Sequence, residues 1–277
     1  MNLIIESGST KSDWVFVQDN GSVLTYTTTG INPITQAELD LNLVNTEIQN
    51  YISQTKKIWY YGAGVANHNA EIKVEAFLKD LGATAPVRIH SDLLGAARGI
   101  CGNNPGIICI LGTGSNAGVY AGGHIVFQKP SLGYILGDEG GGVAFGKALL
   151  TAYFYGTMPQ ELAILFEEKY ALTKDILLSK IYGERQGSSY IASFASFLSD
   201  IDHSWKTSLS EKIFIEFIQL RILPLLKQYS YPVSFTGSVA YSYRDILLNL
   251  LKDEGIQTGK IVQKPIEGLI EYHIKEN

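Results

Sequence analysis

A chain of 277 residues, 45% of them hydrophobic and 18% charged, has the apolar content for a sizeable core, which excludes wholesale disorder. The net charge of −5 and the lack of any Lys/Arg cluster exclude nucleic acid as the main partner, because nothing would neutralise phosphates along a groove. No apolar run approaches a membrane span and the N-terminus enters a strand directly, without the segments of a leader, so a cytoplasmic protein with no membrane partner is expected.

The first elements form a unit. A short apolar strand, Leu3-Ile4-Ile5, runs into the small-residue turn Glu6-Ser7-Gly8-Ser9-Thr10, and the strands Trp14-Val15-Phe16-Val17 and Val23-Leu24-Thr25-Tyr26 follow, joined by Asp19-Asn20-Gly21. A turn of Gly, Ser and Thr offers backbone N–H groups and hydroxyls with few side-chain atoms in the way, which suits it to wrapping phosphate oxygens. After Gly30-Ile31-Asn32-Pro33, the residues Leu39, Leu43, Ile48 and Ile52 stand near helical spacing and predict a helix over 36–54. Lys57-Ile58-Trp59-Tyr60-Tyr61 reads as a buried strand broken at Gly62-Ala63-Gly64. Asn67 can cap a helix carrying Ile72, Ala76, Phe77 and Leu81, and Pro86-Val87-Arg88-Ile89-His90 returns as a strand ending at Ser91-Asp92. The order is β-β-β-α-β-α-β, a sheet covered by helices.

The cluster Gly102-Asn103-Asn104-Pro105-Gly106 marks a boundary, and the opening pattern then restarts. Ile107-Ile108-Cys109-Ile110 leads to Gly112-Thr113-Gly114-Ser115, then Gly118-Val119-Tyr120, Gly122-Gly123-His124 and Ile125-Val126-Phe127. Two lobes imply a cleft, and two such hairpins facing each other would hold one polyphosphate. Residues 140–230 read as helices, with breaks at Gly156, Gly183 and Gly187 and with Pro224 near the end of the longest one. A strand Val233-Ser234-Phe235 meets Thr236-Gly237-Ser238, a helix follows with Ile246, Leu247, Leu250 and Leu251, and after a short strand near Ile261-Val262 a last helix opens at Pro265.

Three small-residue turns therefore fall at strand ends, where free N–H groups favour anions: Gly8-Ser9-Thr10, Gly112 to Ser115, and Gly237-Ser238. Any one alone reads as a tight turn; three together, two of them in duplicated units, point to a ligand. Carboxylates stand beside them at Glu6, Asp13, Asp92 and the pair Asp138-Glu139. Asp92, at a strand end, reads either as a helix N-cap or as a general base aimed from a rigid position. Asp138 precedes Gly140, Gly141 and Gly142, so the backbone there approaches something closely, and a ligand fits that better than a turn alone.

Other motifs are set aside. Gly141 to Lys147 spells most of a Walker A loop, but Ala148 stands where the Mg²⁺-binding Ser or Thr must be and no buried strand precedes it. Gly112-x-Gly114 lacks the third glycine of the dinucleotide fingerprint and leads into a strand. The five histidines show no metal-ligand spacing, and Cys101 and Cys109 read as reduced core thiols.

These duplicated hairpins, the strand-end Asp and the late Thr-Gly-Ser turn resemble the actin/hexokinase/Hsp70 ATPase superfamily. Within it, Glu6 to Trp14, Gly30-x-Asn32-Pro33, Ser91-Asp92, Leu111 to Asn116 and Gly137-Asp138-Glu139-Gly140 resemble the N-acetylglucosamine kinase branch of the BadF/BadG/BcrA/BcrD ATPase group. The resemblance runs from the first strand to the final helix. It implies an α/β, two-lobed ribonuclease H-like (actin-like ATPase) fold, with duplicated β-β-β-α-β-α-β units around a central cleft. The N-terminal lobe would be 1–104, with 265–277 packing back on it as a helix, and the C-terminal lobe, with its helical insertion, 105–264.

The resemblance implies transfer of a phosphoryl group from ATP, with Mg²⁺, to an amino sugar, foremost N-acetylglucosamine at its 6-hydroxyl. N-acetylmuramic acid and glucosamine are the alternative acceptors, and a nucleotide-driven switch acting on a protein partner is the alternative from another class. Gly8, Ser9, Thr10 and Lys11 would form the first phosphate loop, Thr113 and Gly114 the second, and Gly237 and Ser238 would lie near the nucleoside. Asn32, Asp92, Asn116 and Asp138 would hydrogen-bond the sugar, with Asp92 as base. Kinases of this kind usually carry Asp, close to Mg²⁺ through water, where this chain has Glu6, whose extra methylene moves the carboxylate by about a bond length. The Cys/His zinc motif of the ROK sugar kinases is missing, and a homodimer is possible.

Overall fold

The computed structural model describes residues 1–183 and 187–275; residues 184–186 and 276–277 of the predicted helices lie outside them. The first sheet is built from β1 (Asn2–Ser7), β2 (Lys11–Val17), β3 (Val23–Thr29), β4 (Lys57–Gly62) and β5 (Val87–Ser91), in the order β3-β2-β1-β4-β5. β2 pairs antiparallel with β1 and β3, whereas β4 pairs parallel with β1 and β5. Leu3, Ile5, Trp14, Phe16, Ile58 and Tyr60 point to one face and pack with Ile48 and Ile52 of α1 (Thr46–Ser53) and Val74 and Phe77 of α2 (His68–Asp80). Ile4, Val15, Trp59 and Tyr61 point the other way, towards Leu94 of α3 (Asp92–Cys101) and Ile266 and Leu269 of the terminal helix Ile266–Lys275. With both faces covered, β1, β2 and β4 read as near-continuous apolar runs instead of alternating ones.

The second sheet consists of β6 (Gly106–Leu111), β7 (Ser115–Ala121), β8 (His124–Gln128), β9 (Val233–Thr236) and β10 (Thr258–Val262). Its order, β8-β7-β6-β9-β10, repeats that of the first sheet strand for strand. Gly122 and Gly123 both hold positive φ, +59° and +83°, as the two-residue turn between β7 and β8 requires. Between β8 and β9 the chain inserts helices, beginning with α4 (Gly133–Leu136) and α5 (Gly142–Phe154). Near the end of this insertion Ile218–Ile222 widens into a π-helix just before Pro224, whose ring and missing N–H interrupt the α-helical ladder. Two helix-covered sheets of one topology make a duplicated, ribonuclease H-like α/β fold.

By internal packing the chain falls into two units. One is Met1–Asn104 with Gly122–Ile125 and the chain from Lys264 onward; the other is Pro105–Ala121 with Val126–Gln263. Lys264 and the Gly122–Ile125 turn thus group with the first unit, whereas the sequence reading put them in the second. Among the described residues no helix is long and apolar enough to cross a membrane.

The helix expected over 36–54 is corrected to Thr46–Ser53. Polar side chains upstream hold other backbone shapes: Asp40 caps the short 3₁₀ turn Leu41–Leu43, and Asn45 accepts from Ile48 N–H to start α1. In α2, Asn67 caps as expected, but Ile72 is 51% exposed and Val74 and Leu78 take the core face instead.

Candidate active site

In the first unit Ser7, Gly62 and Ser91 stand level across β1, β4 and β5, so the C-terminal ends of three parallel strands share one edge. Ligands of helix-covered parallel sheets gather at such edges. The β1–β2 turn sits there, closed by the Gly8 N–H donating to the Lys11 carbonyl (2.9 Å) and the Gly30 N–H donating to the Thr10 carbonyl (2.9 Å). Gly30 lies so close beneath the turn that a β-carbon on it would come within 2.6 Å of the Ser9 carbonyl oxygen. The hydroxyls of Ser7 and Ser12, 2.6 Å apart, pin its base, and Ser9, Thr10 and Lys11 are left exposed. Asn32 is buried beside it: its Oδ1 accepts from the N–H groups of Ile34 (3.0 Å) and Thr35 (3.3 Å), and its Nδ2 donates to Ser9 Oγ (3.4 Å).

Three carboxylates meet at this edge. Glu6 and Asp13 are directly opposed in the β1–β2 register. Asp13, only 4% exposed, accepts from the Thr27 hydroxyl (2.8 Å) and pairs with Lys264 Nζ (2.5 Å). Asp92 is not the helix cap that one reading made it: Ser91 caps α3 by accepting from Leu94 N–H (3.3 Å), and Asp92 is the first helical residue, its Oδ1 accepting from Leu93 N–H (2.7 Å). Burial raises the Asp92 pKa against the pull of backbone N–H groups. Glu6 is pushed up to about 7, first by burial and then by Asp13 and Asp92, with Lys264 opposing. Carboxyls raised in this way are competent proton acceptors.

In the second unit the turn between β6 and β7 is closed by the Gly112 N–H donating to the Gly114 carbonyl (3.0 Å). The carbonyls of Gly112 and Thr113 in turn accept from Gly142 N–H (2.8 Å) and Val143 N–H (2.9 Å) at the start of α5. Asp138 adopts a left-handed conformation (φ +65°) and its Oδ1 accepts from Ser115 N–H (3.0 Å). Its Oδ2 has no partner among the described residues. Burial raises its pKa, while Ser115 N–H and Lys147 lower it, Glu139 raises it and Arg221 lowers it.

The protein's own packing already requires the glycines around Asp138. A β-carbon on Gly140 would meet Phe217 at 2.9 Å, one on Gly141 the Gly114 carbonyl carbon at 2.6 Å, and one on Gly114 the Asp138 Oδ1 at 2.6 Å. Asn116 Oδ1 accepts from Ala117 N–H (2.9 Å) and Gln128 Nε2 (3.1 Å). Gly237 (φ +114°) packs against the backbone of Leu111, and Ser238 is exposed at the start of the following helical turn Ser238–Ser242. Thr113, Gly114 and Asp138 are thus gathered in one unit, with Gly237 against the end of β6; Ser9, Thr10, Lys11, Glu6 and Asp92 are gathered in the other.

The Walker-like run is the first turn and a half of α5, where the Lys147 ammonium donates to the Tyr134 carbonyl. Neither cysteine is in a disulfide; Cys109 is buried, and burial pushes its thiol up. Lys264 is the residue that sequence reasoning missed. A lone lysine before Pro265 carries no local signal, and its partner Asp13 is 251 positions away.

No family model and no curated protein matches the chain. Solved structures do. A crystal structure of a proposed N-acetylglucosamine kinase from Porphyromonas gingivalis is 32% identical, with 99% of each chain covered and a TM-score of 0.87. A second proposed N-acetylglucosamine kinase, from Chromobacterium violaceum, is 17% identical over 98% of each chain, with a TM-score of 0.73. MreB 5 of Spiroplasma citri bound to AMPPNP is 14% identical over 99% of this chain and 95% of its own, at 0.51. The last two show the fold alone.

Proposed function

We propose a substrate and a mechanism for a chain that belongs to the N-acetylglucosamine kinase-like family, sugar-kinase phosphotransferases built on the actin-like ATPase fold. The chain phosphorylates an amino sugar, N-acetylglucosamine at its 6-hydroxyl, with ATP as donor. The observation that carries this reading is Asp92: a carboxyl with a raised pKa at the shared end of three parallel strands, electrostatically coupled to Glu6 beside the β1–β2 turn.

Asp92 takes the proton of the accepting hydroxyl, and α3, capped by Ser91, fixes its direction. Ser9, Thr10 and Lys11 in one unit, and Thr113 and Gly114 in the other, would each offer donors to phosphate oxygens, and Gly237 and Ser238 would serve the nucleoside. Asp138, with one oxygen held by Ser115 N–H, offers Oδ2 to a sugar hydroxyl. Asn32 and Asn116, whose Oδ1 atoms are engaged by the backbone, contact the sugar through their amide N–H groups. Phosphoryl transfer passes through a loose transition state, so alignment and charge placement by these residues supply most of the acceleration.

The residues fit a divalent cation near Glu6. Three carboxylates crowd there against one ammonium, and burial, Asp13 and Asp92 push the Glu6 pKa up to about 7. Mg²⁺ keeps several of its waters and takes one or two carboxylates, so Glu6 would hold it through water. When bound, Mg²⁺ neutralises charge on the phosphates.

The test is ADP release from Mg·ATP against N-acetylglucosamine, N-acetylmuramic acid, glucosamine and glucose, with Asp92→Asn in parallel. One amino sugar should stimulate turnover, and the variant should lose about 10²- to 10⁴-fold of it. Turnover that no sugar stimulates would overturn the reading.

A further inference from the structure

Arg221 stands on the core face of its helix, among the buried Phe217, Ile218, Ile222 and Leu225, where an apolar residue belongs. It is only 7% exposed, no carboxylate pairs with it among the described residues, and its Nε is buried without a hydrogen-bond partner. A buried guanidinium without a counter-ion is unfavourable unless its donors are used. Here they are used on main chain: Nη1 donates to the Pro130 carbonyl (2.7 Å) and Nη2 to the Lys129 carbonyl (3.5 Å).

Lys147, the lysine of the Walker-like run, does the same to the next part of that segment through the Tyr134 carbonyl. Beyond the Ser115 N–H bond to Asp138 Oδ1 (3.0 Å) and the Gly141 N–H bond to the Asp138 carbonyl (3.2 Å), the 129–141 segment is held by few bonds. Lys129 N–H reaches the Ala117 carbonyl (3.1 Å), α4 is a single turn, and Leu132, Ile135 and Leu136 are 59%, 72% and 73% exposed. Asp138 lies at its end, where burial and Glu139 raise its pKa and Ser115 N–H, Lys147 and Arg221 lower it.

We propose that Arg221 and Lys147 are positioning residues, two cations that grip the 129–141 segment by its carbonyls and so fix the Asp138 carboxylate for the acceptor sugar. The carbonyls take the hydrogen bonds while the charges remain free to act on Asp138, which a carboxylate-paired arginine could not do. The proposal rests on Asp138 as a sugar-binding residue.

The test has two arms, on full-length wild type, Arg221→Met, Arg221→Lys and Lys147→Met, each first shown to be folded by circular dichroism. In the first arm, hydrogen exchange of the 129–141 amides should quicken about tenfold or more in both methionine variants, with β6 unchanged and Arg221→Lys partly restored. In the second, calorimetric binding of N-acetylglucosamine without nucleotide should weaken about tenfold or more, with AMPPNP affinity within about twofold. The acid limb of sugar binding should move to higher pH in Arg221→Met, a shift that a purely structural loss would not produce. Unchanged exchange in folded variants overturns the proposal, as does quickened exchange with unaltered sugar affinity. If wild type itself binds no amino sugar, the proposed function fails, and the exchange arm still decides whether the two cations hold the segment.

Discussion

Glu6 shows how position sets the chemistry of a side chain. Burial and the nearby Asp13 and Asp92 raise its pKa from 4.5 to about 7, so between those values the folded chain holds a proton that the unfolded chain has released. Stability must then fall as pH rises from about 4.5 to 7 and level off above that. Glu6→Gln removes the Glu6 share of that slope and leaves the shares of Asp92 and Asp138, so relative to wild type the metal-free variant gains about 1–3 kcal/mol between pH 4.5 and 7. Thermal melts from pH 4 to 8 check this, and parallel curves would contradict it. Glu6, Asp92 and Asp138 were legible because each stands beside a glycine-rich turn or at a strand end. Lys264, Lys147 and Arg221 were not, since what they bind is main chain or a carboxylate that only the fold brings near. Ser91 and Asp92 are both good N-caps, and sequence alone could not choose between them.

At the scale of elements, the two turns that follow β1 and β6 were readable because period-two apolar strands flank runs of Gly, Ser and Thr. The 36–54 helix misled because leucines and isoleucines at helical spacing lie in a stretch whose Asp and Asn side chains hold local turns. The terminal helix shows a device that periodicity could not reveal. Gly268 lies against the Gly99 backbone of α3, and Gly99 lies against Pro265, so the two helices meet without side chains between them. Nearby, the hydroxyl of Tyr61 accepts from Arg98 (2.8 Å) and shares a hydrogen bond with His273 Nε2 (2.8 Å) on the terminal helix. Gly268→Ala forces a methyl group into this contact and should lower stability by about 1–3 kcal/mol, or about 2–8 °C in Tm. Because α3 begins at Asp92, kcat should fall with it. An unchanged Tm in calorimetry would show that the helices do not need the close approach.

Across the whole molecule, one strand order appears twice, and each copy places a small-residue turn after its first strand and a carboxylate beside it. The duplication was legible from strand–turn–strand spacing alone. The helices inserted between β8 and β9 were legible only as helices, because their burial depends on aromatic packing, such as Phe166 against Phe194 and Phe197, that no local pattern specifies. The proposed reaction places a phosphoryl group on the 6-hydroxyl of an amino sugar. Its most direct test is ³¹P and ¹H NMR of N-acetylglucosamine incubated with Mg·ATP and the protein. A phosphomonoester coupled to the two protons on carbon 6, absent with Asp92→Asn, is the predicted result. ATP converted only to ADP and inorganic phosphate, or a phosphate carried on another carbon, would contradict it.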